Sequence, residues 1–335
     1  MKKFLAMILA LAMVLCLFAG CGNDGSTPAD DTSTPADDTA APSDGGETYK
    51  IGVVCKTLSS SWGAKLKQGF EKAGDELGVE VSTYAPDKET DVNRQVQFIE
   101  DLITQGVDGI VLCPCDSAAM VSSVKKCNDA GIPVSIYDTP MDEAEMEKQG
   151  ATTLTYVGSN NIELGATAAE NVNRLLPDGG KVAIVAGVAG QSTSILRVQG
   201  FREALNDNIE VVAEQPADWD ANKGYDVAAN ILQATPDLDV FFVCSDLMGV
   251  GIAQMLVNEK NDHIKICGID GQAEAIQSII DGVYDSTVAQ DPVSMAFESV
   301  KALVDHLDGK DVEEVINTPV PNITIDNAEE MLADA

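Results

Sequence analysis

The chain has 335 residues and carries 54 acidic against 21 basic side chains, a formal net charge of −33. A chain of this length provides one or two α/β domains with ample material for a buried core. Such acidity argues against a surface built for nucleic acid or anionic lipid, which are held chiefly by clustered Lys and Arg, and its plain meaning is solubility.

At the start of the chain, Lys2 and Lys3 precede an apolar stretch over residues 4–18, and the small residues Ala19 and Gly20 lead into Cys21. This is the layout of a secretory signal, and it is too short for a membrane span. Leu17-Phe18-Ala19-Gly20-Cys21-Gly22 resembles a bacterial lipobox, with Phe18 where leucine is usual. The resemblance implies a signal peptide over residues 1–20 and lipidation of Cys21. Residues 22–47 are Ser, Thr, Pro, Ala, Asp and Gly without a hydrophobic period, and the heptad 26–32 is copied at 33–39. Residues 21–47 are therefore expected to be a lipidated cysteine and a disordered acidic linker, with acyl chains supplying the membrane affinity.

From Tyr49 onward, strand-like runs alternate with helix-length segments, the rhythm of a parallel sheet covered by helices. Strands are predicted over residues 50–55, 79–85, 109–113 and 132–138, with helices over 62–77, 91–105 and 117–130. Leu66, Phe70, Ala73 and Leu77 give the first helix one apolar face, and Gly78 and Gly106 stand where C-caps belong. Residues 141–151 are polar and break the rhythm, which reads as a passage to a second lobe. The pattern resumes with strands over 153–157, 181–186, 210–214, 240–244, 265–269 and 286–290. Helices are predicted over 193–206, 222–234, 248–258, 274–281 and 292–307, the last with Pro292 in its first turn. Two βα lobes imply a cleft between them, a preferred place for small ligands.

Of eight cysteines, Cys16 lies in the signal and Cys21 in the lipobox. Cys55, Cys113, Cys244 and Cys267 sit in apolar strand runs and Cys127 on a helix, the setting of free buried thiols. Cys113-Pro114-Cys115 is the one close pair, weak as a metal site without a second pair or neighbouring histidines. His263 and His306 fall in loop or late-helix settings that suit solvated surface. There is no Walker-type glycine pattern and no Gly-x-Gly-x-x-Gly after the first strand, and no base and nucleophile on which to build an enzyme.

Polar residues instead recur where strands end. Asp138 and Asp270 are acceptors, Lys56 is a donor, and Gln290, Ser245 and Asn160 give or take, a mixture suited to vicinal hydroxyls. Trp62 and Trp219 fall one in each lobe near strand-to-helix turns, where a ring can cover the apolar face of a sugar. A lone Trp is ordinarily core packing and a lone Asp before a helix ordinarily an N-cap, so these residues carry meaning only as a set.

Lys56-Thr57-Leu58, Gln215-Pro216-Ala217-Asp218-Trp219-Asp220, Gly268-Ile269-Asp270-Gly271 and Thr287-Val288-Ala289-Gln290 resemble the periplasmic sugar-binding proteins of ABC importers, in particular the ribose and allose group. The resemblance covers residues 49–324. It implies two Rossmann-like lobes, each a parallel sheet flanked by helices, joined by three crossover segments near Gly158, Asp291 and Pro319 with the ligand cleft between them. The implied lobes are 48–158 plus 291–319 and 159–290 plus 320–335. Matching ligand contacts are Lys56, Trp62, Asp138, Trp219, Asp270 and Gln290. Ser245 stands where asparagine is usual; Thr139 and Ile195 stand where the ribose binder has arginine. Arg197, two positions on from Ile195, is a candidate whose reach into the cleft the sequence leaves open, and Ser60 and Thr139 are further candidates.

The resemblance implies a solute-binding lipoprotein that captures a monosaccharide or related polyol for an ABC permease whose ATPase is a separate subunit. The chain is expected to act as a monomer on the outer face of the cell membrane, touching that membrane only through its lipid, with no cofactor, metal or nucleic acid. Three alternatives stand beside it: a binder of a signalling furanose or nucleoside that feeds a sensor, a surface sugar-modifying enzyme, and the effector domain of a repressor. The last would need a basic helix-turn-helix at the amino end, where this chain has a signal and an acidic linker.

Overall fold

The computed structural model describes residues 48–334. The expected signal peptide, the lipidation site Cys21 and the linker lie outside the described residues. The first lobe runs β1 (Lys50–Val54), α1 (Ser61–Leu77), β2 (Glu80–Tyr84), α2 (Val92–Gln105), β3 (Gly109–Leu112), α3 (Val121–Asp129), β4 (Val134–Tyr137), α4 (Glu143–Gln149) and β5 (Thr155–Gly158). The second runs α5 (Asn161–Leu175), β6 (Gly180–Ala186), α6 (Ser192–Ala204), β7 (Ile209–Pro216), α7 (Ala221–Ala234), β8 (Val240–Val243), α8 (Asp246–Glu259), β9 (Lys265–Asp270), α9 (Ala273–Ile280) and β10 (Tyr284–Ala289). Then come α10 (Pro292–Leu307), β11 (Val315–Asn317), β12 (Asn322–Thr324) and α11 (Ala328–Asp334).

The sheet orders are β11-β5-β4-β3-β1-β2 and β12-β10-β9-β8-β6-β7, so one doubly wound plan is used twice. All pairings are parallel except β10 with β12. β1, β3, β4 and β8 are apolar almost throughout, as strands covered on both faces must be. The chain passes between the sheets three times, at residues 159–160, 290–291 and 318–321. These passages are tied together: Ser159 and Thr318 share a hydroxyl bond at 3.0 Å, and Ala289 N–H donates to Pro321 O at 2.8 Å.

Local chemistry sets the boundaries. Ser60 accepts from Gly63 N–H to open α1, Asp91 from Arg94 N–H to open α2, and Asp291 from Ser294 N–H before Pro292 to open α10. Gly78 and Gly106 close α1 and α2 with left-handed backbone. The apolar face of α1 buries Leu66, Phe70 and Ala73, and Phe70 meets Tyr137 edge-on with centroids 5.5 Å apart. In the second lobe Phe201 of α6 stacks on Phe242 of β8 at 4.0 Å. Cys55, Cys113, Cys115, Cys127, Cys244 and Cys267 are free and buried.

Two readings of the sequence need correction. Residues 141–151 are not a passage between lobes: they hold α4, and β5 beyond them pairs with β4 in the first sheet. α4 buries no residue, so it has no apolar period to find, and it stands on an Asp142 cap and acidic first-turn residues. The expected helix over 117–130 is shorter, Val121–Asp129. α5 has no counterpart in the sequence reading, although Leu164, Ala168 and Val172 space one apolar face along it; Gly165, Ala168 and Ala169 are the small residues of its buried side.

That small-residue face lets α5 and α6 approach at backbone contact. A Cβ on Gly165 would lie 2.1 Å from Arg197 O, and one on Gly200 2.1 Å from Ile162 O. At Gly74 in α1 the nearest neighbours of an added Cβ are 3.4 Å away, an ordinary contact. Alanine gains about 1 kcal/mol over glycine in a helix interior, whereas forcing a methyl into packed backbone costs about 1–3 kcal/mol. Gly74→Ala is therefore expected to raise the urea midpoint and Gly165→Ala to lower it; the same sign for both would contradict this packing.

Candidate functional site

Residues just beyond the carboxyl ends of β1, β3 and β4 face residues beyond β7, β8 and β9 across one cavity. This is the crevice where open α/β sheets bind ligands. It holds about 550 Å³ of empty space including its open mouth. Lys56, Cys113 and Asp138 line one side, Trp219, Ser245 and Asp270 the other. The lobes also touch directly. Thr193 Oγ1 lies 2.7 Å from Thr139 Oγ1, Gln191 Nε2 donates to Cys115 O at 2.9 Å, and Ser61 Oγ donates to Gln272 Oε1 at 3.2 Å.

Asp138 is 5 % exposed, and three donors converge on its Oδ2: Lys56 Nζ at 2.9 Å, Thr139 Oγ1 at 2.9 Å and Cys113 Sγ at 3.3 Å. Burial opposes its charge, but the Lys56 ammonium and the Arg197 guanidinium outweigh burial and hold the carboxyl below its ordinary value. Burial likewise opposes the charge on Lys56, and Asp138 more than restores it. Cys113 is pushed upward chiefly by burial, which keeps its thiol protonated and able to donate.

On the opposite wall, Asp270 Oδ1 accepts from Gln290 Nε2 at 2.8 Å and from Arg197 Nη1 at 3.3 Å. Arg197 is 2 % exposed and is fixed by Asn161 Oδ1 at 2.9 Å and Cys244 O at 2.6 Å. Trp219 lies over Gly187, where a Cβ would fall 1.9 Å from the ring, and its Nε1–H donates to Gln191 Oε1 at 2.6 Å. Lys56 Nζ and Arg197 Cζ stand 5.8 and 5.9 Å from the Trp219 ring centroid, one from each lobe. Trp62, in the first turn of α1, lines the mouth on the other side.

Neither aspartate is an N-cap, since Asp142 and Gln272 hold those positions. Instead the backbone is unusual: φ is 59° at Asp138, 127° at Asp270 and 57° at Trp219. Side-chain-bearing residues rarely take positive φ, and such conformations cost of order 1–3 kcal/mol and gather at functional sites.

Of the residues singled out from sequence, Lys56, Ser60, Trp62, Asp138, Arg197, Trp219, Ser245 and Asp270 line this cavity. Gln290 lines an adjoining recess with Trp62 and Asp270. Thr139 is fully buried, bonding Lys56 and Asp138. Asn160 is exposed and caps α5. Ile195 is 57 % exposed, so Arg197 supplies the guanidinium that Ile195 cannot. His263 and His306 are exposed.

Sequence reasoning missed Glu89, Thr193, Gln272 and Asp246. Asp246 is fully buried; its Oδ2 accepts from Gln272 N–H at 3.0 Å and Thr287 Oγ1 at 2.8 Å, and Oδ1 has no partner among the described residues. Burial, then the Asp270 charge, pushes its carboxyl well above the ordinary value. Its place directly after Cys244-Ser245 at a strand end was the available signal. Asp270 is also raised, by burial against the pull of Arg197.

With this geometry in place, comparison with known proteins is decisive. Residues 51–311 match the model of the periplasmic binding protein domain. The chain belongs to the periplasmic binding protein family. This family member is 34% identical over 272 residues to the ribose import binding protein of Bacillus subtilis, covering 81% of this chain and 86% of that one. It is 35% identical over 257 residues to the D-allose-binding periplasmic protein of Escherichia coli, covering 76% and 83%. Among solved structures it resembles a solute-binding protein of Actinobacillus succinogenes with bound D-allose, at a TM-score of 0.80 and 25% identity, covering 84% of this chain and 100% of that one. A Bacillus halodurans protein with bound myo-inositol gives 0.79 and 27%, covering 88% and 100%.

The Asp246 carboxyl makes a pH prediction. Its folded pKa is raised above an unfolded value of about 3.9. The folded state therefore holds the proton more tightly, and that stabilisation is full below about pH 3.9 and lost as pH rises through the folded pKa. Asp246→Asn, which cannot ionise, is expected to gain stability relative to the natural chain as pH is raised from about 4 to about 8. A pH-independent difference in urea midpoints would contradict a raised Asp246.

Proposed function

We propose that the protein captures a monosaccharide or related polyol between its lobes and delivers it to an ABC importer outside the cytoplasm. The observation that carries this is the meeting, in one cavity, of Asp138 and Asp270 from opposite lobes, each braced by its own basic side chain. Every bond to Asp138 described above lands on Oδ2, which leaves Oδ1 for a hydroxyl of the guest. Lys56 and Arg197 add donors, and Trp219 and Trp62 supply apolar faces for the C–H side of a sugar ring. A guest held by both lobes has higher affinity for the closed form than for the open one, and that difference drives closure. The role is binding and hand-over, without chemistry on the guest.

In this reading Lys56, Trp62, Asp138, Trp219, Ser245, Asp270 and Gln290 contact the ligand, with Ser60, Arg197 and Thr139 completing or bracing the set. The chain works as a monomer, held at the outer face of the cell membrane by lipid on Cys21. Labelling with a radioactive or clickable fatty acid, lost in Cys21→Ser, tests the anchor.

Thermal-shift and tryptophan-fluorescence titration with D-ribose, D-allose, D-fructose and myo-inositol, extended to further monosaccharides, tests the binding role. At least one compound is expected to raise Tm and change the Trp signal. Hydrogen bonds to charged groups contribute about 1.5–3 kcal/mol each, so Asp138→Ala and Asp270→Ala should each weaken binding by about 100-fold, equivalent to about 2.7 kcal/mol. Undiminished binding in both variants would remove this site.

A further inference from the structure

Glu89 lies in the loop between β2 and α2 and contributes to the wall of the sugar cavity, on the same lobe as Lys56 and Asp138. Its neighbours Asp87, Lys88, Thr90 and Asp91 are all exposed, while its own side chain is turned inward. The capping duty for α2 belongs to Asp91, so the fold asks nothing of the Glu89 carboxyl there. Oε2 is shut off from solvent and has no hydrogen-bond partner among the described residues. Asp138 and Asp270, by contrast, each hold a basic side chain within 3.3 Å. Buried polar atoms are nearly always partnered, and a carboxyl oxygen without a partner on a residue that lines a ligand cavity points to a contact made only when the cavity is filled. Burial raises this carboxyl and the Lys56 charge opposes that rise, so the group sits at the meeting point of both influences.

Resting on the reading that the cavity holds a sugar, we propose that Glu89 is a specificity-determining residue whose carboxyl group bonds one hydroxyl of the guest that Asp138 and Asp270 do not serve. A guest lacking that hydroxyl leaves Glu89 bare in the closed form and is rejected, in the way that sites built to bond a hydroxyl reject analogues without it.

The test is a cycle in which both partners are removed. Affinities of the natural chain, Glu89→Gln and Glu89→Ala are measured by calorimetry for whichever sugar of the panel binds most tightly and for each of its monodeoxy analogues. For one ring position, the natural chain is expected to lose at least about tenfold in affinity on loss of the hydroxyl, whereas Glu89→Ala loses little at that same position. Glu89→Gln, which keeps an acceptor and a similar volume, should retain part of the discrimination, and it carries the cycle if the alanine variant folds poorly. Equal losses in all three proteins at every position would overturn the inference while leaving sugar binding intact. Failure of the natural chain to bind any sugar would overturn the proposed function and this inference with it.

Discussion

Burying carboxyl groups is the constraint around which both lobes are arranged. Asp138 and Asp270 lie almost wholly out of water, and a charge so placed is tolerated only when it is paired and hydrogen-bonded. Each lobe supplies the counter-charge by a different route. Lys56 reaches Asp138 within one sheet, from the end of β1 to the end of β4. Arg197 rises from α6 to the end of β9 and is steadied by the Cys244 carbonyl and by Asn161 of α5. The glycine contact between α5 and α6 is thus connected to the cleft, because the helix turn that carries Arg197 is the one that Gly165 admits at backbone distance.

The same arrangement brings the two lobes together beside the cavity. Lys56 and Arg197 approach one Trp219 ring from opposite lobes, and the threonine pair Thr139 and Thr193 meets beside Asp138. These contacts are few and polar. A guest that added bonds to both walls would favour the form in which the lobes meet, by its own differential affinity. Three short passages join the lobes and are tied to one another by backbone and hydroxyl bonds.

Much of this was legible in the sequence because parallel strands are buried runs and their ends are marked by the first polar residue. Asp138, Ser245, Asp270 and Lys56 were found by that rule. What it missed has physical causes. α5 carries an apolar period in Leu164, Ala168 and Val172 that was passed over, diluted by Gly165 and Ala169 beside it, and α4 packs through nothing buried. Arg197 could be placed only by knowing which face of α6 turns inward, and α6 has polar or charged residues, Thr193, Ser194 and Arg197, on its buried side. Asp246 was visible as a strand-end residue, but nothing in its neighbours indicated that it would lie beneath the cleft. Glu89 sits among exposed loop residues, and only the coordinates reveal its inward turn.

The positive φ angles at Asp138, Trp219 and Asp270 bear on how such a cleft can diverge between lineages. Asp tolerates left-handed backbone better than most residues, and β-branched or bulky replacements do not. An exchange at 138 or 270 would thus meet a conformational penalty besides the lost contact. An exchange at 245, where the backbone is extended, would meet no such penalty, so the cleft can be re-lined there more cheaply than at its three twisted corners.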